Sequence, residues 1–537
     1  MTTTMPSSNR RKKPPVGSVT FVGAGPGDPA LLTLRAVEAL AQADAVVLDT
    51  QAREQFLVHA RPDVLVLDAA QGPDGLPLGR RTKLVVDAAK AGHAVVRLVD
   101  GDPGLFGGLA EEAAACVKAN VPFEVVPGVS PAIAAPAYAG IPLTDARTHA
   151  VHVVSAEGVH DFSAHADPST TVVVVSSVAD VDTVVKELLR AGRDPNTPSA
   201  VIRMGTTTEQ RTVTAALEDL PSAARAAKLA QPVVTVVGPT VAHRETLSWF
   251  ETKPLFGWRV LVPRTREQAG ELSARLRRHG AVPDEVPTIS VEPPRAPQQM
   301  DRAIQGLVSG RYLWVAFTSV NAVRAIREKF EEYGLDARAF AGIKVAAVGE
   351  QTAAALLAFG VRPDLVPAGE QSSAGLLEDW PEYDRQLDPL DRVFLPRADI
   401  ATETLAAGLV ELGWEVDDVT AYRTVRAAPP PAATRDAIKT GGFDAVVFTS
   451  SSTVRNLVGI AGKPHATTVI ACIGPQTAKT AEEHGLRVDV LADKPSVVGL
   501  ADALAAYGAA QRLSALEAGE VTWRPSQRRG NARRKAT

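Results

Sequence analysis

Hydroxyl, carboxylate and guanidinium side chains recur in this chain at one kind of place, the loop that follows a short β-rich run. In the second half Arg264 follows Val-Pro and Arg397 follows Leu-Pro, Ser319 and the serines at 450–452 stand at helix starts, and Thr352 and Thr477 follow a glycine turn. Arginine pairs with carboxylates through two parallel N–H donors, and helix N-termini attract anions. A cleft lined this way suits a polyanion, although each Ser or Thr taken alone is an ordinary helix cap. In the first half the loops read GAGPGDP at 23–29, DGDPGLFG at 100–107 and PGVSPAIAAPAYAGIPLT at 127–144, and Asp49 closes a further β-rich run. They carry acids and lack a phosphate-cradling lysine, which suits a ligand with positive charge or hydroxyls. A dinucleotide is the rival reading, but the G-x-G-x-G spacing lacks the third glycine of that fingerprint and Pro26 removes a backbone donor.

Strands and helices must hold these loops in place. The runs at 18–22, 45–48, 94–98 and 123–126 predict strands, and the apolar spacing at 31–40 predicts a helix after the first glycine loop. In open α/β sheets ligands bind outside the carboxyl ends of the strands, which is where the loops fall. The second half is an internal repeat: VLVPRT from 260 is echoed by VFLPRA from 393, FTSVNAVRAI from 317 by FTSSSTVRNL from 448, and AAVGEQTA from 346 by ACIGPQTA from 471. The repeat predicts two similar α/β lobes with parallel sheets. Between the halves lies LSWFETKPLFGWRVLVPRT at 247–265, which closes one motif vocabulary and opens another.

A chain of 537 residues is too long for one core, so a fusion fits. The net charge of -4 argues against bulk nucleic-acid affinity, and the basic residues at both ends predict solvated tails, at 1–15 and 508–537. Cys116 and Cys472 lie one in each half without neighbours that would make a metal cluster or redox pair, which implies a reducing compartment and no metal. No apolar run reaches the length of a membrane span and residues 1–16 lack the apolar core of a signal peptide, so a cytoplasmic protein with no membrane partner is expected.

Four blocks of the first half, GAGPGDPxLLTLRAVEAL, RLVDGDPxLFG, VVPGVSxAIAAPAYAGIPLT and LSWF, occur in the order in which they resemble uroporphyrinogen-III C-methyltransferase, of the class III, tetrapyrrole methylase fold. The resemblance implies a methylase-like domain at 16–252 with S-adenosylmethionine as methyl donor. It places donor contacts at Pro26, Asp100, Gly101, Asp102, Leu105, Ser130, Pro131 and Gly205, and a proton acceptor at Asp49. The chain departs from the family pattern at Leu48, at Val99 and Asp100, at 107–112 where GGLAEE replaces GRGGEE, near Ala69 and Ser176, and at Asp145. Several basic groups that could meet substrate carboxylates are thereby lost. A second reading therefore stays open, in which this half is a scaffold and only the other half is catalytic.

The second half, with VPRT, both FTS blocks, LPRA, YRT at 422–424 and IGPQTA, resembles uroporphyrinogen-III synthase over nearly its whole length. The resemblance implies a synthase domain at 257–507, a two-lobed parallel α/β fold with lobe one at 257–291 and 425–507, lobe two at 292–424, and a two-stranded linker between them. The implied reaction closes the linear tetrapyrrole hydroxymethylbilane with inversion of ring D. It needs positioning more than strong nucleophiles or metals. Tyr422 matches the family's tyrosine, placed to assist departure of the terminal hydroxyl, and Arg264, Ser319, Arg397, Ser450, Ser452 and Thr477 are the groups expected to hold propionate and acetate arms. The fold expected for the whole chain is thus α/β throughout, a methylase fold followed by a synthase fold. The expected partners are small-molecule tetrapyrroles, with no nucleic acid, and a homodimer through the methylase half is one assembly open to it.

Overall fold

A computed structural model describes residues 16–48, 54–69, 76–156, 162–176, 180–229, 233–264, 266–520 and 523–527. The expected tail at 1–15, the end of the chain from 528 and Asp49 lie outside the described residues. The chain divides into two compact units, Met1–Trp258 with Arg277–Val282, and Arg259–Leu276 with Pro283–Thr537. Among the described residues no helix is long and apolar enough to cross a membrane.

The first unit holds two five-stranded sheets. In the first, β1 (Ser18–Gly23), β2 (Ala45–Leu48), β3 (Leu65–Asp68), β4 (Ala94–Val99) and β5 (Phe123–Val126) run parallel in the order β3-β2-β4-β1-β5. Strands β1, β2 and β4 are buried on both faces because helices cover both, giving one core around Phe21, Val47 and Val95 and another around Val22, Val46 and Leu98, with the buried Arg97 of β4 paired to Glu112. The order sets β4, β1 and β5 side by side, so the three glycine-rich loops leave the sheet from adjacent strand ends. The second sheet is mixed, with β6 (Ala150–Ser155), β7 (Thr170–Ser176), β8 (Pro198–Arg203), β9 (Arg211–Ala216) and β10 (Val233–Val237) in the order β6-β7-β10-β8-β9. Only its β6 and β7 pair in parallel.

The second unit repeats one plan twice. Strands β11 (Arg259–Val262), β12 (Val282–Glu285), β18 (Ala445–Phe448), β19 (Val469–Cys472) and β20 (Val490–Leu491) form one sheet in the order β12-β11-β18-β19-β20. Strands β13 (Ile289–Glu292), β14 (Trp314–Phe317), β15 (Lys344–Ala347), β16 (Arg392–Ala398) and β17 (Glu415–Arg426) form the other, in the order β13-β17-β16-β14-β15. Side chains of β14 alternate between two cores, Val315 and Phe317 with Phe394 on one face and Trp314 and Ala316 with Leu395 on the other.

The sheets of this unit are parallel-rich, as expected, and β13 pairs antiparallel with the end of β17, Ile289 opposite Arg426 and Glu292 opposite Arg423. Here the chain leaves one lobe and returns to it, and two passes of one connection run in opposite directions. One expectation needs correction: no solvated tail begins at 508, because the last long helix runs Val497–Glu517 and buries Gly508 and Ala515. Its Ala- and Leu-rich sequence has high helix propensity, which outweighs the basic composition further on.

Phe317 is fully buried and edges onto Phe340 with ring centroids 6.2 Å apart. Phe317→Ala should remove about 3–5 kcal/mol of stability, read as a lowered urea midpoint of the transition followed by the fluorescence of Trp314 and Trp380.

Candidate active sites

In the first unit the adjacent loops touch backbone to backbone. Gly25 and Gly101 exchange hydrogen bonds, Gly101 N donating to Gly25 O at 2.9 Å and Gly25 N to Gly101 O at 3.2 Å. A Cβ on Gly23 would lie 2.5 Å from the Cα of Gly128, and one on Gly128 would lie 2.1 Å from the carbonyl of Gly101. Glycine is needed at these points because no side chain fits between the chains. Gly101 also has φ +70° and packs on Pro131, whose Cδ would stand 2.6 Å from an added Cβ. Asp102 holds the assembly from within, Oδ1 accepting from Gly104 N and Oδ2 from Gly128 N, both at 2.8 Å. Its carboxylate thereby braces two loops. Ser130 caps the helix Pro131–Tyr138 by accepting from Ala132 N at 3.2 Å, Asp100 is exposed, and Pro26 and Leu105 are half-buried.

Gly205 arrives from the second sheet, its Cα so near Ala135 that a Cβ would lie 2.3 Å from the alanine's own. Its neighbours Met204 and Thr206 have φ of 48° and 70°, strained for residues with side chains. The strain is held by several bonds at once: Thr206 N donates to Gln210 Oε1 at 2.8 Å, and Thr206 Oγ1 accepts from Asp28 N at 3.1 Å. Asp28 Oδ2 in turn accepts from Tyr138 Oη at 3.0 Å, and burial with that carboxylate beside it pushes the phenol up to about 12. The LSWF segment closes over this brace, with Tyr138, Trp249 and Phe250 in mutual ring contact and Trp249 Nε1 donating to Ala137 O at 3.0 Å. Asp28, Tyr138, Thr206 and Gln210 were not singled out in the sequence. Asp28 and Tyr138 are 110 residues apart, so spacing carried no signal.

In the second unit the two copies of the repeat place the same residues and use them differently. Ser450 caps the helix Ser451–Ala461, and its Oγ lies 2.9 Å from that of Ser452, which is exposed. Ser319 caps Val320–Glu332 in the same way, but its Oγ lies 2.9 Å from the phenolic oxygen of Tyr422. Arg264, at the end of β11, is half-buried with no carboxylate paired to it among the described residues, and burial pushes its guanidinium down. Its counterpart Arg397 is enclosed by Asp418 and Glu403, Nε donating to Asp418 Oδ1 at 2.6 Å. Arg397 is therefore a buttress of lobe two, against the expectation that it meets substrate. Thr477 is buried in the helix Pro475–Glu483, while Ser451 and Thr480, 2.9 Å apart, tie that helix to its neighbour.

Tyr422 owes its direction to a β-bulge. Arg397 pairs with Thr420 but Ala398 with Tyr422, so Ala421 is the extra residue, and Ala421 and Tyr422 join the same core instead of alternating. Tyr422 thereby lines a cleft of about 260 Å³ with Glu292, Asn321 and Arg324.

The family Tetrapyrrole (Corrin/Porphyrin) Methylases matches residues 18–221, and the family Uroporphyrinogen-III synthase HemD matches residues 270–502. The porphyrin biosynthesis protein HemD of Ruminiclostridium josui is 30% identical over 505 residues, spanning 92% of this chain and 98% of that protein. The chain belongs to the family of fused tetrapyrrole methylases and uroporphyrinogen-III synthases. The uroporphyrinogen-III C-methyltransferase of Bacillus subtilis is 33% identical over 65% of this chain and 74% of that protein. A solved uroporphyrin-III C-methyltransferase from Thermus thermophilus, complexed with S-adenyl homocysteine, is 34% identical over 42% of this chain and 99% of its own, with a TM-score of 0.36. This is a two-domain protein of tetrapyrrole biosynthesis, with a methylase domain followed by a synthase domain.

Where the methylase pattern has a histidine this chain has Asp145, which accepts from His243 Nε2 at 2.9 Å and from the backbone N–H groups of Arg147 and Thr148. The histidine first and the backbone donors next hold this carboxyl well below the usual carboxylate range. A carboxyl lowered on folding stabilises above its unfolded value, about 3.9, and loses that contribution as pH falls further. Asp145→Asn should lower the melting temperature near neutrality and flatten its decline below about pH 4, so that the two curves converge at low pH, which thermal melts across that range will read.

Proposed function

We propose that both domains are catalytic: the synthase domain closes hydroxymethylbilane to uroporphyrinogen III with inversion of ring D, and the methylase domain methylates that product with S-adenosylmethionine towards precorrin-2. What carries the reading is that the candidate groups fall at strand ends, after β4, β1 and β5 in the first domain and after β11 and β18 in the second, with Ser319 after β14 and Tyr422 near the end of β17 in its other sheet. In the methylase domain Pro26, Asp100, Leu105, Ser130, Pro131 and Gly205 would wall the donor site beside loops held by the glycine contacts, and such a lining suits a donor with a sulfonium and ribose hydroxyls. When bound, S-adenosylmethionine supplies an electrophilic methyl group. The chain's part is alignment and exclusion of water, with Asp49, after β2, proposed to take the proton lost from the pyrrole carbon.

The synthase domain divides its work between lobes. Arg264, Ser450 and Ser452 in lobe one hold carboxylate arms, and Tyr422 in lobe two gives a proton to the departing hydroxyl. Folding the bilane so that the substituted carbon attacks first decides the isomer, a matter of positioning.

Four measurements test this. The full chain fed hydroxymethylbilane should yield the type III isomer, and if only the uninverted isomer forms, the synthase reading fails. Fed uroporphyrinogen III anaerobically with labelled donor, it should transfer methyl groups with a raised KM, since each lost charge-assisted contact to the substrate forfeits about 1.5–3 kcal/mol. No transfer at any substrate concentration would leave the first domain a scaffold. Replacing Ser450 and Ser452 together by Ala should raise KM for the bilane about tenfold with kcat held. Gly101→Val, strained at φ +70° and driven into Pro131, should abolish the calorimetric signal of S-adenosylhomocysteine while circular dichroism stays unchanged.

A further inference from the structure

We infer that Ser319 is a positioning residue for Tyr422 and not a holder of substrate arms: its hydroxyl donates to the phenolic oxygen and leaves the phenolic O–H aimed at the substrate. The inference deepens the synthase reading and rests on it. Three observations meet at this residue. Ser319 Oγ accepts from Ala322 N at 3.1 Å, so its position is fixed by the first turn of a thirteen-residue helix. The same Oγ lies 2.9 Å from Tyr422 Oη. The β-bulge at Arg397 and Ala398 turns Tyr422 onto this face of its sheet, so the contact depends on a departure from regular pairing that lobe one does not need. The repeat supplies the comparison within one molecule, since among the described residues the side chain of Ser450, the matching cap, meets only groups of its own first helix turn, Ser452 and Thr453.

The cap leaves the Ser319 O–H able to donate to Tyr422 Oη, and the proposed direction is that one. With Ala322 N–H donating to Ser319 Oγ, and Ser319 O–H donating to Tyr422 Oη, the donors point in series at the phenolic oxygen from the positive end of a helix. That arrangement steadies the oxygen after it gives up its proton. In the reaction the C–O bond of the terminal hydroxymethyl group breaks with its electron pair on oxygen. That oxygen takes the phenolic proton and leaves as water, and the pyrrole nitrogen supplies electrons to the exposed carbon. The substituted carbon of the last ring attacks to give a spiro centre. The bond from that carbon to its original methylene then breaks with its electrons returning to the ring, the unsubstituted carbon of the same ring attacks the freed methylene, and the proton lost from that carbon as the ring regains its aromatic form returns to Tyr422. No oxidant or reductant is needed.

The test uses the full chain with Ser319→Ala, Ser319→Gly, Ser319→Thr, Tyr422→Phe and the Ser319→Ala/Tyr422→Phe double variant, each assayed for kcat, KM and isomer ratio against pH. Glycine keeps most of the helix start while removing the hydroxyl, so it separates the relay from the cap. Expected are about a five- to tenfold loss of kcat in the Ala and Gly variants with KM little changed, the size of one neutral hydrogen bond, and recovery in the Thr variant. The double variant should be no slower than Tyr422→Phe alone, since without the phenol Ser319 has nothing to position. A raised KM with kcat intact would make Ser319 an arm holder, and a multiplicative loss in the double variant would make it independent of Tyr422; either overturns the inference. An unchanged kcat in Tyr422→Phe overturns it too. Formation of only the type I isomer by the unaltered chain is a different failure, that of the synthase reading itself.

Discussion

Parallel pairing puts the carboxyl ends of neighbouring strands on one edge of a sheet, and both candidate sites depend on it. A short strand can present a loop there only if its backbone groups are already satisfied by its neighbours, which is what the β4-β1-β5 register achieves. Because these strands are adjacent, their loops meet at backbone distance, and Gly23, Gly101 and Gly128 answer a steric demand set by topology. The same crowding lets Asp102 join two loops with one carboxylate. Rigid loops are what methyl transfer by alignment requires.

In the synthase domain the repeat places two copies of one set of strand-end loops, and the copies differ in their internal partners. Lobe two added Asp418 and Glu403 around Arg397 and Tyr422 beside Ser319. The Arg397 side chain is 9% exposed and already paired with Asp418 and Glu403, so a substrate carboxylate would have to displace partners it holds. Lobe one kept Arg264 unpaired among the described residues and Ser452 exposed. The lobes therefore carry different chemistry on one framework.

Much of this was legible in the sequence because it is local. The strands of the first sheet, the loops after them and the repeat are patterns over a few residues, and the glycine positions follow from the loops. Partnerships across the fold were not legible. Arg264 and Arg397 occupy equivalent positions in the repeat, and only Asp418, on the neighbouring strand, separates them. The Asp28–Tyr138 bond spans 110 residues, and no periodicity records it. The helix through Glu517 was misread because a basic terminus was weighed above the propensity of its alanines and leucines. Asp49, legible as a strand-end acid, lies outside the described residues.

The placing of Tyr422 joins these threads. It is the last residue of β17 to pair with β16, opposite Ala398, and the next residue, Arg423, pairs with Glu292 of β13. The phenol thus stands where the strand passes from the lobe's sheet into the connection between lobes. A regular strand would have turned it to the opposite face, away from Ser319, and one extra residue reverses that. An acid for this reaction need not be strong, because the leaving hydroxyl departs readily from a bilane. It must be in one place while the chain is folded for attack. A residue anchored by a bulge on one side, a helix cap on the other and the paired connection behind it meets that requirement, and a freely hinged tyrosine would not.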